Sequence, residues 1–278
     1  MEQRTAGTES AKLVVSGIGK TFRRRGSVFV ALEDVSFEVK SGEFFVIVGA
    51  SGCGKTTFLR IVQGLDHPTT GTIELDGQPV RGPGPDRGFV FQNDCLFPWR
   101  TVVRNVTFGP ELRGKPREQA ERDARAIISL VGLSGFEQHY PHELSGGMRQ
   151  RVNLARAIAI DPDLLLMDEP FAALDALTRE QMQQELVRIV AETGKTVIFI
   201  THQLDEAVLL ADRIAVMGAR PGRVLRLIDV DLPRPRTLSQ KRTPEFQALV
   251  EEVWSLIADS QAENHRPDTH GTAQERAS

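Results

Sequence analysis

Apolar and polar positions along this chain follow two alternating patterns, one typical of strands and the other typical of helices. Residues 13–45 alternate as strands do, most clearly over 35–39, and a turn follows at residues 41–42. The elements predicted next are a helix over 55–63 and short strands over 72–75 and 88–91. This part of the chain is therefore predicted to contain mainly strands.

A helical segment interrupts this pattern from about residue 101 to residue 143, and it includes a helix that starts at Pro116 and runs to Val131. We interpret the segment as an inserted second lobe. The elements predicted after it are helices over 146–160, 177–192 and 204–211, with strands over 163–167 and 196–200. This rhythm predicts a mostly parallel sheet with helices on both faces, which would bind phosphate at the carboxyl ends of its strands.

The C-terminal part of the chain is predicted to form a strand after residues 220–222 and then a helix over 237–259, since apolar side chains recur at helical spacing there. This apolar stripe either packs on the main domain or offers a docking face to a partner. Residues 1–12 and 260–278 are polar and are predicted to be mobile.

The composition fits a globular protein with ample core, because 40% of the 278 residues are hydrophobic and 26% are charged. A net charge of −3 provides no basic field that would attract nucleic acid. The two cysteines, Cys53 and Cys95, give no disulfide framework and indicate a reducing compartment. The sequence contains neither a signal-peptide core nor an apolar run of membrane-spanning length, so we expect a soluble protein that would reach a membrane only through another chain.

A strand over 44–48 runs directly into the glycine-rich stretch 49–57, and a predicted helix follows. Glycines let the backbone amides approach a phosphate group, and the helix N-terminus adds its positive dipole end. Lys55 would reach the β- and γ-phosphates, while the Thr56 hydroxyl would ligate Mg²⁺. A glycine-rich turn in some other α/β protein is the alternative. The residues predicted to bind nucleotide here are Gly49, Ala50, Ser51, Gly52, Cys53, Gly54, Lys55, Thr56 and Thr57.

Two adjacent carboxylates, Asp168 and Glu169, follow the apolar strand that ends at Met167. Neighbouring acids at the end of a buried strand need a cation, so we predict that Asp168 holds Mg²⁺ directly or through water. Glu169 would then orient and deprotonate the attacking water. An acidic turn without a cation is the alternative.

A serine and two glycines, Ser145, Gly146 and Gly147, precede a helix that carries several arginines. Their amides would be able to bind an anion at the helix N-terminus. The upstream loop already accounts for one triphosphate, so a second phosphate site suggests a nucleotide shared between two subunits. An ordinary N-cap and loop is the alternative.

These segments together resemble the ATP-binding subunits of the ABC transporter family. The segments that carry the resemblance, in the family's order, are the phosphate loop, Gln92, residues 144–150, residues 164–169, Leu174-Asp175 and His202. The resemblance covers about residues 13–236 and implies an α/β fold, a RecA-like P-loop NTPase core with an antiparallel β subdomain and an inserted helical subdomain at about 96–160. It also implies ATPase activity, ATP and Mg²⁺ as cofactors, and a head-to-tail homodimer.

Carried over by position, the resemblance makes Gln92 a ligand that senses Mg²⁺ and the attacking water, and makes His202 a hydrogen-bond partner of the γ-phosphate. Without that context, His202 would be an ordinary loop histidine. Residues 145–147 would touch the γ-phosphate bound by the opposite protomer, and Asp175 would couple the two sites. Lys55 and Glu169 complete the predicted catalytic set with Gln92 and His202.

Phe22 occupies the place of the aromatic residue that stacks on adenine, although Phe29 lies nearby and is an alternative. Two positions depart from the usual family pattern: Met148 replaces a common Gln, and Gln203 replaces a common Asp. Neither touches a predicted catalytic atom, so we expect hydrolysis to be retained.

Residues 91–101, 105–106 and 108–109 are similar to the importers of nitrate, taurine and other alkanesulfonates. That similarity implies a subunit bound peripherally at the cytoplasmic face of the inner membrane, with integral membrane permease subunits and, indirectly, a solute-binding protein as partners. Leu96, Phe97 and Trp99 would line a groove for a short permease helix. Burial of Trp99 in the helical lobe is the competing interpretation.

Three other functions remain as alternatives. A soluble ABC ATPase that acts on DNA would carry a long coiled coil between Lys55 and Ser145, for which there is no room, and ribosomal members usually have two such domains. An ABC exporter subunit is also compatible, since partners largely set the direction of transport. A non-catalytic regulator is disfavoured because no predicted catalytic residue is missing.

Overall fold

A computed structural model describes residues 11–24 and 26–264 of the chain. The strands are β1 (Ala11–Arg24), β2 (Ser27–Lys40), β3 (Phe44–Gly49), β4 (Thr70–Leu75), β5 (Gln78–Pro79), β6 (Arg87–Val90), β7 (Leu164–Asp168), β8 (Thr196–Thr201), β9 (Arg213–Gly218) and β10 (Arg223–Asp229). The α-helices are α1 (Lys55–Gln63), α2 (Val102–Leu112), α3 (Arg117–Leu130), α4 (Gly146–Ala159), α5 (Ala176–Thr193), α6 (Leu204–Leu210) and α7 (Pro244–Asn264). None of the helices in these residues is long and apolar enough to span a bilayer.

The strands form two sheets of different kinds. A six-stranded sheet has the order β10-β9-β3-β8-β7-β6, in which all pairs are parallel except β10 with β9. A four-stranded antiparallel sheet has the order β2-β1-β4-β5. Every residue of β3, β7 and β8 is buried, as expected for parallel strands covered on both faces, whereas β2 alternates buried and exposed positions from Val35 to Lys40.

The side chains of β3 alternate between two hydrophobic cores. Phe45 and Ile47 join the core shared with α1 and the antiparallel sheet, where the Phe45 ring stacks on that of Phe37 at 4.8 Å. Phe44 and Val46 face the other core, which includes residues of α2, α3 and α4. The central sheet therefore lies between the antiparallel sheet on one side and helices on the other, with the helical lobe inserted in the chain between β6 and β7.

The C-terminal boundaries differ from those predicted. A short 3-10 helix occupies Leu238–Arg242, so α7 begins only at Pro244, and it continues to Asn264, into the segment predicted to be mobile from residue 260. At the other end, β1 starts at Ala11 and takes up two residues of the predicted mobile N-terminus. The predicted mobility of residues 1–10 and 265–278 concerns positions outside the described residues.

Arg236 joins the C-terminal segment to the main domain. Its buried guanidinium donates to the carbonyl oxygens of Val230 at 2.7 Å, Val208 at 3.4 Å and Ala211. Burial, together with the nearby Arg234, lowers the pKa of Arg236 to about 10. The acceptors from Val208 and Ala211 lie at the end of α6, so this side chain caps a helix whose last carbonyls have no partners within the helix.

Candidate functional site

The phosphate loop connects β3 to α1. Gly54, with φ of 94°, is the N-cap of α1 and offers no capping side chain, so the first amides of the helix keep their hydrogen-bonding capacity for an anion. The buried Lys55 ammonium donates to the carbonyl oxygens of Gly49 at 2.7 Å and Ala50 at 3.2 Å. The Lys55 side chain thus lies along the phosphate loop, where its ammonium group would contact a bound phosphate.

Close packing fixes the shape of this loop. A Cβ at Gly49 would lie 2.6 Å from the carbonyl oxygen of Met217, and one at Gly54 would lie 2.7 Å from Leu32 Cδ2. Cys53 is buried, and burial raises the pKa of its thiol, which favours the neutral form. These contacts require small residues and agree with a packing role for Cys53.

Asp168 and Glu169 lie beside the phosphate loop because β7 and β3 both flank β8 in the parallel sheet. The Thr56 hydroxyl donates to Asp168 Oδ1 at 3.3 Å. Burial raises the pKa of Asp168, the Thr56 hydrogen bond opposes this shift, and the neighbouring Glu169 carboxylate adds to it. A bound cation would relieve both the burial of this charge and the repulsion between the two acids.

The donor set at this position fits Mg²⁺. It consists of a hydroxyl and a carboxylate oxygen on adjacent elements, and Mg²⁺ prefers oxygen ligands and usually keeps several waters or substrate phosphates. Among the described residues there is no cluster of three or more His, Cys, Asp or Glu side chains that would hold a metal by itself. A metal bound jointly with nucleotide phosphates is consistent with both observations.

Glu169 and His202 form a pair across neighbouring strand ends. Glu169 has φ of 45° and donates its amide to the carbonyl oxygen of Ile200 at 3.0 Å, which ties the turn after β7 to β8. His202 Nδ1 lies 2.8 Å from Glu169 Oε2. Gln92 follows β6, the strand next to β7, and is exposed at the same edge of the sheet. The structure therefore brings the predicted Lys55, Thr56, Asp168, Glu169 and His202 to one edge.

Ser145, Gly146, Gly147 and Asp175 form a second group. Ser145 caps α4 by accepting from the Met148 amide at 3.3 Å, and Asp175 caps α5 by accepting from the Thr178 amide at 3.0 Å, which lowers the pKa of the exposed Asp175. A Cβ at Gly147 would lie 2.6 Å from Thr178 Cγ2, so the two helix starts pack together. In the described part of the chain, no hydrogen bond joins residues 145–147 to the phosphate loop of the same chain.

Phe22 and Phe29 face each other across the β1–β2 hairpin, and both are exposed. Lys20 Nζ lies 5.0 Å from the centre of the Phe22 ring. The two rings share one surface, and the adenine contact at Phe22 stays a prediction.

A groove of about 330 Å³ lies where the helical lobe meets β6, with Phe91, Phe97, Phe108 and Arg156 among its lining residues. Trp99 is 71% exposed, so its predicted alternative, burial in the lobe, is wrong. Leu96 does not line the groove, which corrects that prediction. Its side chain is buried instead in the core cluster that includes Val102 and Val106 of α2. Trp99 does not line the groove either, because its exposed ring lies beside the groove, 5.7 Å from the ring of Phe97; of the three predicted residues, Phe97 lines it.

The buried Asn105 of α2 shapes this part of the surface. Its side-chain oxygen accepts from the Phe97 amide at 2.8 Å, and its Nδ2 donates to the carbonyl oxygens of Arg100 at 3.0 Å and Thr101 at 3.1 Å. These bonds hold the turn that presents Trp99 to solvent.

Sequence reasoning missed one charged group near the site. Glu206 is buried in α6, where it accepts from Thr201 and Gln183. The sequence shows only two adjacent acids, Asp205 and Glu206, before the apolar run 207–211, and nothing in it marks Glu206 as the buried one.

A family model described as ABC transporter matches residues 32–172, about half of the chain. Individual relatives match over a larger share of the chain. The chain is 50% identical to a taurine import ATP-binding protein of Burkholderia pseudomallei, over 87% of this chain and 97% of that protein. The chain belongs to the ABC transporter family. It is also 45% identical to a nitrate import ATP-binding protein of Synechocystis, over 90% of this chain and 97% of that one.

Solved structures agree with the family assignment. A dimeric bacterial ABC transporter cassette matches with a TM-score of 0.69 and 33% identity, over 80% of this chain and 100% of that one. An ATP-binding cassette solved as a dimer in a post-hydrolysis state, with ADP and phosphate bound, matches with a TM-score of 0.68 and the same identity and coverage. The predicted α/β P-loop fold and the prediction of an ABC-type ATPase are confirmed.

Proposed function

We propose that this ABC ATPase is the ATP-hydrolysing subunit of an importer and couples ATP binding and hydrolysis to uptake of a small anionic solute through a separate permease. One observation carries the catalytic part of the proposal. At a single edge of the parallel sheet, the Thr56 hydroxyl is 3.3 Å from Asp168 and His202 is 2.8 Å from Glu169, beside the loop that contains Lys55.

Each residue has a distinct task in this proposal. The amides of residues 49–57 and the Lys55 ammonium bind the β- and γ-phosphates of ATP. Thr56, Gln92 and Asp168 would hold Mg²⁺, which when bound neutralises charge on the phosphate oxygens. Glu169 takes the proton of the attacking water.

His202 donates a hydrogen bond to the γ-phosphate. The 2.8 Å contact with Glu169 also orients the carboxylate that must reach the water.

A second copy of the chain supplies the other half of each site. Ser145, Gly146 and Gly147 are grouped with Asp175 rather than with their own phosphate loop, and Ser145 and Gly146 are exposed. In a head-to-tail homodimer these residues would cap the γ-phosphate held by the partner copy, and Asp175 would couple the two sites. The two matching cassettes solved as dimers support this arrangement.

Mixing two inactive variants tests the shared site. Ser145→Arg blocks the cap and Lys55→Ala weakens the phosphate loop, so each variant alone should hydrolyse ATP poorly. A mixed dimer would contain one site with both halves intact, so the mixture should regain a measurable part of the wild-type turnover. A mixture as inactive as its components, with mixed dimers shown by mass spectrometry, would refute the shared site.

The transport part of the proposal rests on the groove beside Trp99 and on the relatives named for import of taurine and nitrate. The groove would receive a short permease helix, and the subunit would then bind peripherally at the cytoplasmic face of the inner membrane. Purification from native membranes should therefore recover integral permease subunits with the chain. Recovery with ribosomes or DNA, or with an exporter permease, would contradict the proposal.

A further inference from the structure

Glu206 is a buried acid one turn away from His202. It is 3% exposed and is followed in α6 by the buried Ala207, Val208, Leu209 and Leu210. Burial raises the pKa of Glu206 above its ordinary range. A buried carboxyl group destabilises a fold unless it is hydrogen-bonded, so the hydrogen-bond partners of Glu206 indicate its role in the structure.

Both carboxyl oxygens of Glu206 have partners on neighbouring elements. Oε2 accepts from the Thr201 hydroxyl at 2.5 Å, and Oε1 accepts from Gln183 Nε2 of α5 at 3.0 Å. Thr201 is the buried last residue of β8 and directly precedes His202. Glu206 therefore ties the end of β8 to α5 and α6.

The Thr201 hydroxyl also closes the turn on which His202 stands. Its oxygen accepts from the Gln203 amide at 3.0 Å, so the side chain of residue 201 bonds the backbone two residues later, with His202 between them. By accepting the hydroxyl hydrogen, Glu206 directs the oxygen lone pairs of Thr201 towards that amide.

His202 itself has few other constraints. Its side chain is 49% exposed, and among the described residues its ring makes one hydrogen bond, to Glu169. The orientation of the ring thus depends on the turn formed by residues 201–203, and through Thr201 on Glu206.

We propose that Glu206 is a positioning residue that holds His202 in the orientation needed for hydrolysis, acting through the Thr201 hydroxyl. This inference rests on the proposed function, in which His202 contacts the γ-phosphate. Glu206 touches neither substrate nor the reacting atoms, so its loss should lower kcat while the phosphate loop still binds ATP.

Two near-isosteric substitutions each remove the hydrogen bond between Thr201 and Glu206, one by replacing the acceptor and the other by replacing the donor. Glu206→Leu and Thr201→Val should each lower kcat for ATP about tenfold or more, with KM little changed, because small misplacements of catalytic groups are costly. Thr201→Ser keeps the hydroxyl and should retain most of the wild-type kcat. If Glu206→Leu does not fold, the pair Thr201→Val and Thr201→Ser makes the same test.

A double-mutant cycle with His202→Ala distinguishes positioning from general damage. If Glu206 acts through His202, Glu206→Leu should cause no further loss of kcat in the His202→Ala background. Leu209→Ala is the matched control, since it removes buried atoms from the same helix and should lower the melting temperature without changing kcat. An equal loss in both backgrounds, or an equal loss of kcat in Leu209→Ala, would overturn the proposal.

The same experiment separates this inference from the proposed function. If His202→Ala hydrolyses ATP normally, the role of His202 in the proposed function is wrong, and the inference falls with it. If His202→Ala is impaired while Glu206→Leu and Thr201→Val are not, the proposed function stands and only the positioning role is wrong.

Discussion

Replacing Asn105 by Ala tests how the surface around Trp99 is built. The substitution removes every hydrogen bond of a fully buried amide side chain. The Thr101 carbonyl oxygen still accepts from the backbone amide of residue 105. The Phe97 amide and the Arg100 carbonyl oxygen, however, lose the side-chain partner that holds them in the turn.

The two backbone groups left unsatisfied are partly buried, so each costs about 1–2 kcal/mol and we expect the free energy of unfolding to fall by about 2–4 kcal/mol. That range corresponds to a melting temperature lower by roughly 5–15 °C for a chain of this size. Thermal unfolding followed by circular dichroism measures the shift, with the exposed neighbour Asn93→Ala as the control. ATP turnover of the isolated subunit should be retained at low temperature, whereas recovery of permease subunits should decrease. A change in unfolding free energy below about 0.5 kcal/mol would refute the assigned role of Asn105.

Three further predictions follow from other contacts. A Cβ at Gly222 would overlap a carbonyl oxygen of the phosphate loop, so Gly222→Ala should weaken ATP binding about tenfold. Gly82→Ala is the control, because a Cβ at Gly82 would meet open space and should leave ATP binding unchanged. Titration calorimetry measures the affinity of both variants. The pKa of Asp168 in the folded state lies above its ordinary value of 3.8, so between these two pH values the folded state binds more protons than the unfolded state. The contribution of Asp168 to stability therefore falls as pH rises from 3.8 through the folded-state pKa. Asp168→Asn should therefore raise the melting temperature near neutral pH, and the difference from wild type should fade as pH falls towards 3.8; a constant difference would contradict the burial argument. Trp99→Asp should reduce recovery of permease subunits from membranes without changing turnover of the isolated subunit. Trp254→Asp, at an exposed position on α7, should have no such effect.

Segments whose ends are marked by glycines or acidic residues could be predicted from the sequence. The apolar run of β3 and the glycine at each end of α1 mark this strand–loop–helix unit, and α1 has the predicted bounds of 55–63. The carboxylates at the end of β7 follow the same logic, since an apolar strand that stops at two acids places them at the edge of the sheet.

Other features depend on tertiary contacts that local patterns do not contain. β9 has no predicted counterpart, because its apolar run follows α6 with few turn residues between them. The start of α7 is displaced because Thr237 and Gln240 cap a short 3-10 helix. The partners of Glu206 are as distant as Gln183, so its burial could not be predicted from neighbouring residues.

The cap that Arg236 places on α6 has a practical consequence for handling the protein. A deletion that removes residue 236 and all that follows would uncover the carbonyls of Val208 and Ala211 and strip Phe246 and Val253 from the core. Affinity tags, fluorescent fusions and engineered cross-links to a permease therefore belong beyond residue 264, where the described helix ends. Shorter versions of the chain would report on a damaged domain rather than on transport.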